Sequence, residues 1–85
     1  MKTESGFNFK VDKDVIDDVR VVEIIRKVES NPTMIIDLAD KVLGEKQKEA
    51  LYSHLEKIHG KARLTDVNAE LTEIFHLLGD KEKKS

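Results

Sequence analysis

The residues able to do chemistry are few. An acidic knot, "DKDVIDD" from Asp12 to Asp18, has the oxygen-rich look of a calcium loop, whose side chains alternate as D-x-D-x-D-G to wrap a hard cation. Here Ile16 stands at the third oxygen position and Asp17 at the obligatory glycine. Acids grouped in this way instead suit a helix start, where they accept hydrogen bonds from free backbone N–H groups and complement the positive end of the dipole. His54, His59 and His76 are the only imidazoles, and the chain has no cysteine. None of them has another at the i, i+4 spacing that brings two imidazoles to one zinc ion. His54 and His59 diverge by about 140° on a helix of ~3.6 residues per turn. Ser5, Ser30, Ser53 and Ser85 have no base beside them in the sequence, and the four glycines form no phosphate cradle. No catalytic, metal-binding or cofactor-binding residue is therefore assigned. His54 falls between Ala50, Leu51 and Ile58 on an apolar sector, and is expected as a half-buried imidazole bonded to a carbonyl or carboxylate; pH sensing or partner binding is its other use.

The totals set the scale. Eighty-five residues suffice for one domain, and 39% hydrophobic against 38% charged residues means a thin core under a heavily solvated surface. Fifteen Lys plus Arg against 17 Asp plus Glu give a net charge of −2 with the signs mixed along the chain, which disfavours a nucleic-acid binder. The longest apolar run is three residues, far short of the ~20 that span a bilayer. No signal peptide is read at the N-terminus. A soluble cytoplasmic protein is expected, and the absence of cysteine fits a reducing compartment.

Phe7, Phe9 and Val11 alternate with Asn8 and Lys10, the period of two that predicts a strand-like arm over 7–11. One strand cannot stand alone. It either folds onto its own bundle or offers an edge to another chain. From Asp12 the period changes. Val15 and Ile16 anchor a short turn, Asp18 caps the main helix, and Val21, Ile24, Ile25 and Val28 make one stripe with Val22 at its margin, predicting a helix over about 14–29. "SNP" breaks it, and Pro32 suits the first turn of the next.

Residues 33–43 carry a wide apolar arc of Met34, Ile35, Ile36, Leu38, Ala39, Val42 and Leu43, so this helix should be central. Gly44 is expected to close it and Glu45 to open another over 45–58, with Ala50, Leu51, Leu55 and Ile58 inward and "HG" at 59–60 ending the run. A last helix over 66–78, capped by Thr65 and stopped by Gly79, turns Val67, Leu71, Ile74, Phe75 and Leu78 to the core. Leu77 points about 60° outside that stripe, at ~100° per residue. With Ile74 it could form an exposed apolar edge, so Ile74, Leu77, Phe7 and Phe9 are the candidate partner-binding residues. The expectation is one mainly α domain over 1–85: a compact bundle of four helices with a short N-terminal arm, a flexible N-terminus (1–5) and a frayed polar tail (80–85).

The order of these pieces resembles a known family. "SGFNFKVDKDVIDD" at Ser5 to Asp18, "VVEIIRKVE" at Val21 to Glu29, "VLGEKQKEALYSHL" at Val42 to Leu55 and "ELTEIFHLLG" at Glu70 to Gly79 resemble the small tail assembly chaperones of long-tailed phages and prophages of Gram-positive bacteria. The resemblance covers nearly the whole chain. It implies a non-enzymatic protein without cofactor that binds the tape measure protein, keeps it soluble, and helps recruit major tail protein during tail morphogenesis. It also implies that this chain corresponds to the short product of a gene that can yield a longer one by ribosomal frameshifting. Two other classes fit a small helical bundle: a bacteriocin immunity protein, and a nucleic-acid-binding regulator in which Arg20, Arg26 and Lys27 converge.

Overall fold

The computed structural model describes residues 1–83, with side chains as far as residue 79. The chain enters through a strap, residues 1–10, that doubles back on itself at Gly6. Thr3 and Phe7 are joined by the bond from Thr3 N to Phe7 O (3.0 Å), and Phe9 N donates to Met1 O (2.9 Å). Gly6 makes the reversal possible with φ at +99°, a region closed to most L-residues. The strand-like arm expected over 7–11 is not formed: among the described residues there is no strand, only an isolated antiparallel bridge between Lys2 and Asn8. The reason is that the segment has too short a partner, its own first residues, and beyond Phe9 its backbone bonds to a side chain: Lys10 N and O both meet the amide of Gln47. The first five residues, expected as a flexible terminus, form one leg of this strap, and Thr3 within them is buried.

Two aspartates then set two helical starts. Asp12 accepts from Asp14 N (3.3 Å) and opens a 3-10 turn over Lys13–Asp17; Asp18 accepts from Arg20 N (2.9 Å) and opens α1, Val19–Val28. The helix expected over 14–29 is thus a short turn and a shorter helix, separated by Asp18 in an extended conformation. A second 3-10 turn, Pro32–Met34, leads into α2, Ile35–His59.

Among the described residues the bundle has three α-helices, not four. The helices expected over 33–43 and 45–58 are halves of α2, bent at Gly44, whose φ of 80° and ψ of 164° are non-helical. Gly44 is the right place for the interruption, but with no intervening loop the halves form one bent element. Gly60 ends α2, its N–H donating to Glu56 O at 2.8 Å. The last helix, α3, spans Leu64–Lys83. Thr65 lies inside its first turn rather than capping it, and Gly79 does not stop it. The tail expected over 80–85 lies, past that backbone, outside the described residues.

As its wide apolar arc requires, α2 is the central element, packing against both α1 and α3. It buries Ile35, Leu38, Ala39, Val42 and Leu43 before the bend and Leu51 and Leu55 after it. From α3 come Val67, Leu71, Ile74 and Leu78. By contrast α1 commits only Val21 fully, with Ile24 and Val28 half-buried.

Candidate docking surfaces

Because α1 and α3 both pack on α2 rather than on each other, a gap opens between them. It is a cavity of about 220 Å³ walled by Ile25 and Val28 of α1, floored by Ile35 and Leu38 of α2, and closed by Leu71 and Phe75 of α3. Its polar margin is Glu29, Asn68 and Thr72. On the outer side of α1 the apolar surface continues to Val22, and Ile25 and Val22 are 38% and 41% exposed. The α1 stripe predicted from periodicity therefore exists, yet part of it faces outward.

A second depression, about 390 Å³, lies where α2 turns into α3, with Ile36, Tyr52, Ala62, Leu64 and Val67 beside Glu56 and Lys61. A third, about 540 Å³, is polar and runs along α1 between Arg20, Glu23, Arg26, Lys27 and Ser30. The three cations named from the sequence do share that depression. Glu23 sits among them and pairs with Arg20 at 3.6 Å.

The predicted partner-binding residues are elsewhere. Ile74 is completely buried, Phe7 and Phe9 are each 4% exposed, and Leu77 is half-buried against the core. An exposed Ile74–Leu77 edge is not formed, because α2 and the 3-10 turn Lys13–Asp17 pack on α3 and both side chains join the core. Of the two arrangements open to the arm, the chain adopts the one folded onto its own bundle.

The polar cluster beneath the strap had no sequence signal. The Ser5 hydroxyl donates to Glu70 Oε2 (2.8 Å) and lies 3.0 Å from His54 Nε2 and 3.2 Å from Thr3 Oγ1. A hydroxyl has one hydrogen to give. With that hydrogen on Glu70, Ser5 must accept from His54, so Nε2 carries the proton in this arrangement. The half-buried His54 thus meets a serine hydroxyl rather than the expected carbonyl or carboxylate. Serine, imidazole and carboxylate are together, but both groups converge on the hydroxyl, whereas a relay for nucleophilic attack sets the acid on the far imidazole nitrogen. What this arrangement does is pin the strap's turn to α2 and α3. Glu73 adds to it, accepting from Glu4 N at 2.6 Å. Ser5, Gln47, Glu70 and Glu73 were not identifiable beforehand, since each partner is at least 37 positions away.

Of the acidic knot, Asp12 and Asp18 act as helix caps, and among the described residues no three His, Cys, Asp or Glu side chains are grouped to hold a metal. No described helix is long and apolar enough to cross a membrane. No protein family, curated protein or solved structure matches the chain.

Proposed function

We propose that this chain is a tail assembly chaperone of a long-tailed phage or prophage of Gram-positive bacteria, binding the tape measure protein and helping to recruit major tail protein. The observation that carries the reading is the apolar gap between α1 and α3, continuous with exposed Ile25 and Val22 and edged by charge. A holdase needs such surface: shallow enough to cover partner helices, charged enough at its margins to stay in solution. The gap is also below the roughly 300–1,000 Å³ usual for metabolite sites. It fits one or two side chains projecting from a helix. The resemblance along Ser5–Asp18, Val42–Leu55 and Glu70–Gly79 supports the same function. In this reading the protein is not an enzyme, uses no cofactor, works in the host cytoplasm and is not part of the mature virion.

Co-expression with the large helical protein of a neighbouring tail gene tests the reading. The large protein is expected to remain soluble and to copurify with this chain. Ile25→Asp, at an exposed position costing about 1 kcal/mol or less, should lower the retained partner about tenfold without changing the circular dichroism. Precipitation of the large protein to the same extent with and without the chain would overturn the proposal.

One observation favours a nucleic-acid-binding regulator, the convergence of Arg20, Arg26 and Lys27. Glu23 in their midst opposes it. Such a regulator would bind duplex DNA with an affinity that falls steeply with salt; no binding at low salt dismisses it.

A further inference from the structure

Residues 1–10 are seated on α2 and α3 in the manner of a bound peptide. The strap's own backbone–backbone bonds stay within it, from Thr3 to Phe7, Gly6 to Thr3 and Phe9 to Met1. Its described hydrogen bonds to the helices all end on side chains: Gln47, His54, Glu70 and Glu73. Phe7 and Phe9 fill the apolar part of the seat, their rings stacked with centroids 6.4 Å apart, and His54 tilts against Phe7 at 5.8 Å. Aromatic anchors held in a concave surface, with a few polar side chains fixing the backbone, are how grooves recognise short segments. The fit is also incomplete. Glu70 is 7% exposed, and while its Oε2 takes the Ser5 hydroxyl, its Oε1 is buried with no hydrogen-bond partner among the described residues. A buried acceptor of that kind favours any occupant that brings a donor to it.

We propose that the seat on α2 and α3 is a peptide-binding site, filled in the free protein by its own strap and open to a partner segment of matching chemistry. That chemistry is a short hydroxyl side chain followed two and four positions later by aromatic residues, the spacing of Ser5, Phe7 and Phe9. The strap is then an internal competitor. Affinity for an outside segment is scaled by the fraction of molecules whose strap is open. This site is separate from the gap between α1 and α3, and neither stands or falls with the other.

The probe is a fluorescein-labelled synthetic peptide of residues 1–10, titrated into the 85-residue chain and its Ser5→Ala variant. Ser5 is exposed as a residue, so the substitution spares the core. In Ser5→Ala the chain's own strap loses its bonds to His54 and Glu70 while the peptide keeps them. The peptide should therefore bind the variant about tenfold more tightly than the parent. Gln47→Ala, which releases the strap at Lys10, should act in the same direction. A peptide carrying Phe7→Ala and Phe9→Ala should bind none of them. Absence of peptide binding to both variants, with their helical circular dichroism intact, overturns the site, as does equal affinity for parent and variants. A Ser5→Ala dimer that fails to take up peptide also overturns it, because the seat would then hold the strap of a second copy.

Discussion

Lys48 reaches back across the bend of α2 to Asp40, Nζ to Oδ1 3.4 Å, although a straight helix would separate residues eight apart by about 12 Å along its axis. The pair therefore reports the bend. Burial of the ammonium acts to lower its pKa, while the hydrogen bond and charge of Asp40, joined by the charges of Tyr52 and Glu49, raise it, so the net shift is upward from the ordinary 10.5. A raised folded-state value means that Lys48 contributes stability below its unfolded pKa and loses that contribution as pH rises through the folded one. Lys48→Met should consequently flatten the decline of Tm above pH 10.5 while changing little of the profile around neutrality; identical alkaline profiles for variant and parent would count against the pair. Asp18 shows what is legible at this scale. Its capping bond runs to a backbone N–H two residues on, so the identity of the residue and its position before an apolar stripe suffice to predict it. Glu70 shows what is not. Its partner Ser5 lies 65 positions away, and no local pattern marks either one.

At the scale of elements, the decisive residue is Gly44. Its φ of 80° with ψ of 164° belongs to a region that glycine alone occupies at low cost. An added Cβ would meet nothing within 4 Å, so any penalty comes from the backbone itself and not from a clash. Gly44→Ala should cost about 1–3 kcal/mol in urea unfolding, and should break the contact between Lys48 and Asp40 if the variant straightens α2. Unchanged stability would mean that the bend needs no glycine. The boundary was visible because glycine punctuates a helix in the sequence itself; the continuity of α2 across it was not, since nothing in "VLGEKQ" states whether the chain unwinds between the halves or only turns. Periodicity had the same reach with α1. It gave the stripe Val21, Ile24, Ile25 and Val28, but the depth to which each is buried depends on how closely α3 approaches, and α3 stays away.

For the molecule as a whole, the thin core is the governing fact. Leu51, Leu55, Leu71, Ile74 and Leu78 are among the largest side chains that are fully enclosed, and all five come from the second half of α2 and from α3. Leu55→Ala should cost about 2–5 kcal/mol, a large share of the roughly 5–15 kcal/mol that holds a domain folded. A marked fall in the urea midpoint is expected, and a midpoint within a few tenths molar of the parent would show that this core is not where stability resides. The same economy explains the strap. With so few enclosed side chains in the helices, Phe7 and Phe9 supply two of the three phenylalanines to the interior, and the strap closes what three helices leave open.

The sequence by itself determined a helical chain, the cap at Asp18, the breaks at Pro32, Gly44 and Gly60, and part of the inward faces of α2 and α3; Ile36, Ala50 and Ile58, expected inward on α2, are exposed. These follow from forces acting over three or four residues: hydrogen bonds to the nearest free N–H groups, backbone sterics, and the 100° step that sorts side chains by face. Only the tertiary structure decided that α2 bends as one helix, that Leu77 is half-buried and the strap aromatics enclosed while Ile25 and Val22 are exposed, and that Ser5, His54 and Glu70 meet. Those outcomes depend on which surfaces reach each other after the chain has folded back, and residues 49 or 65 positions apart carry no mark of one another until it does.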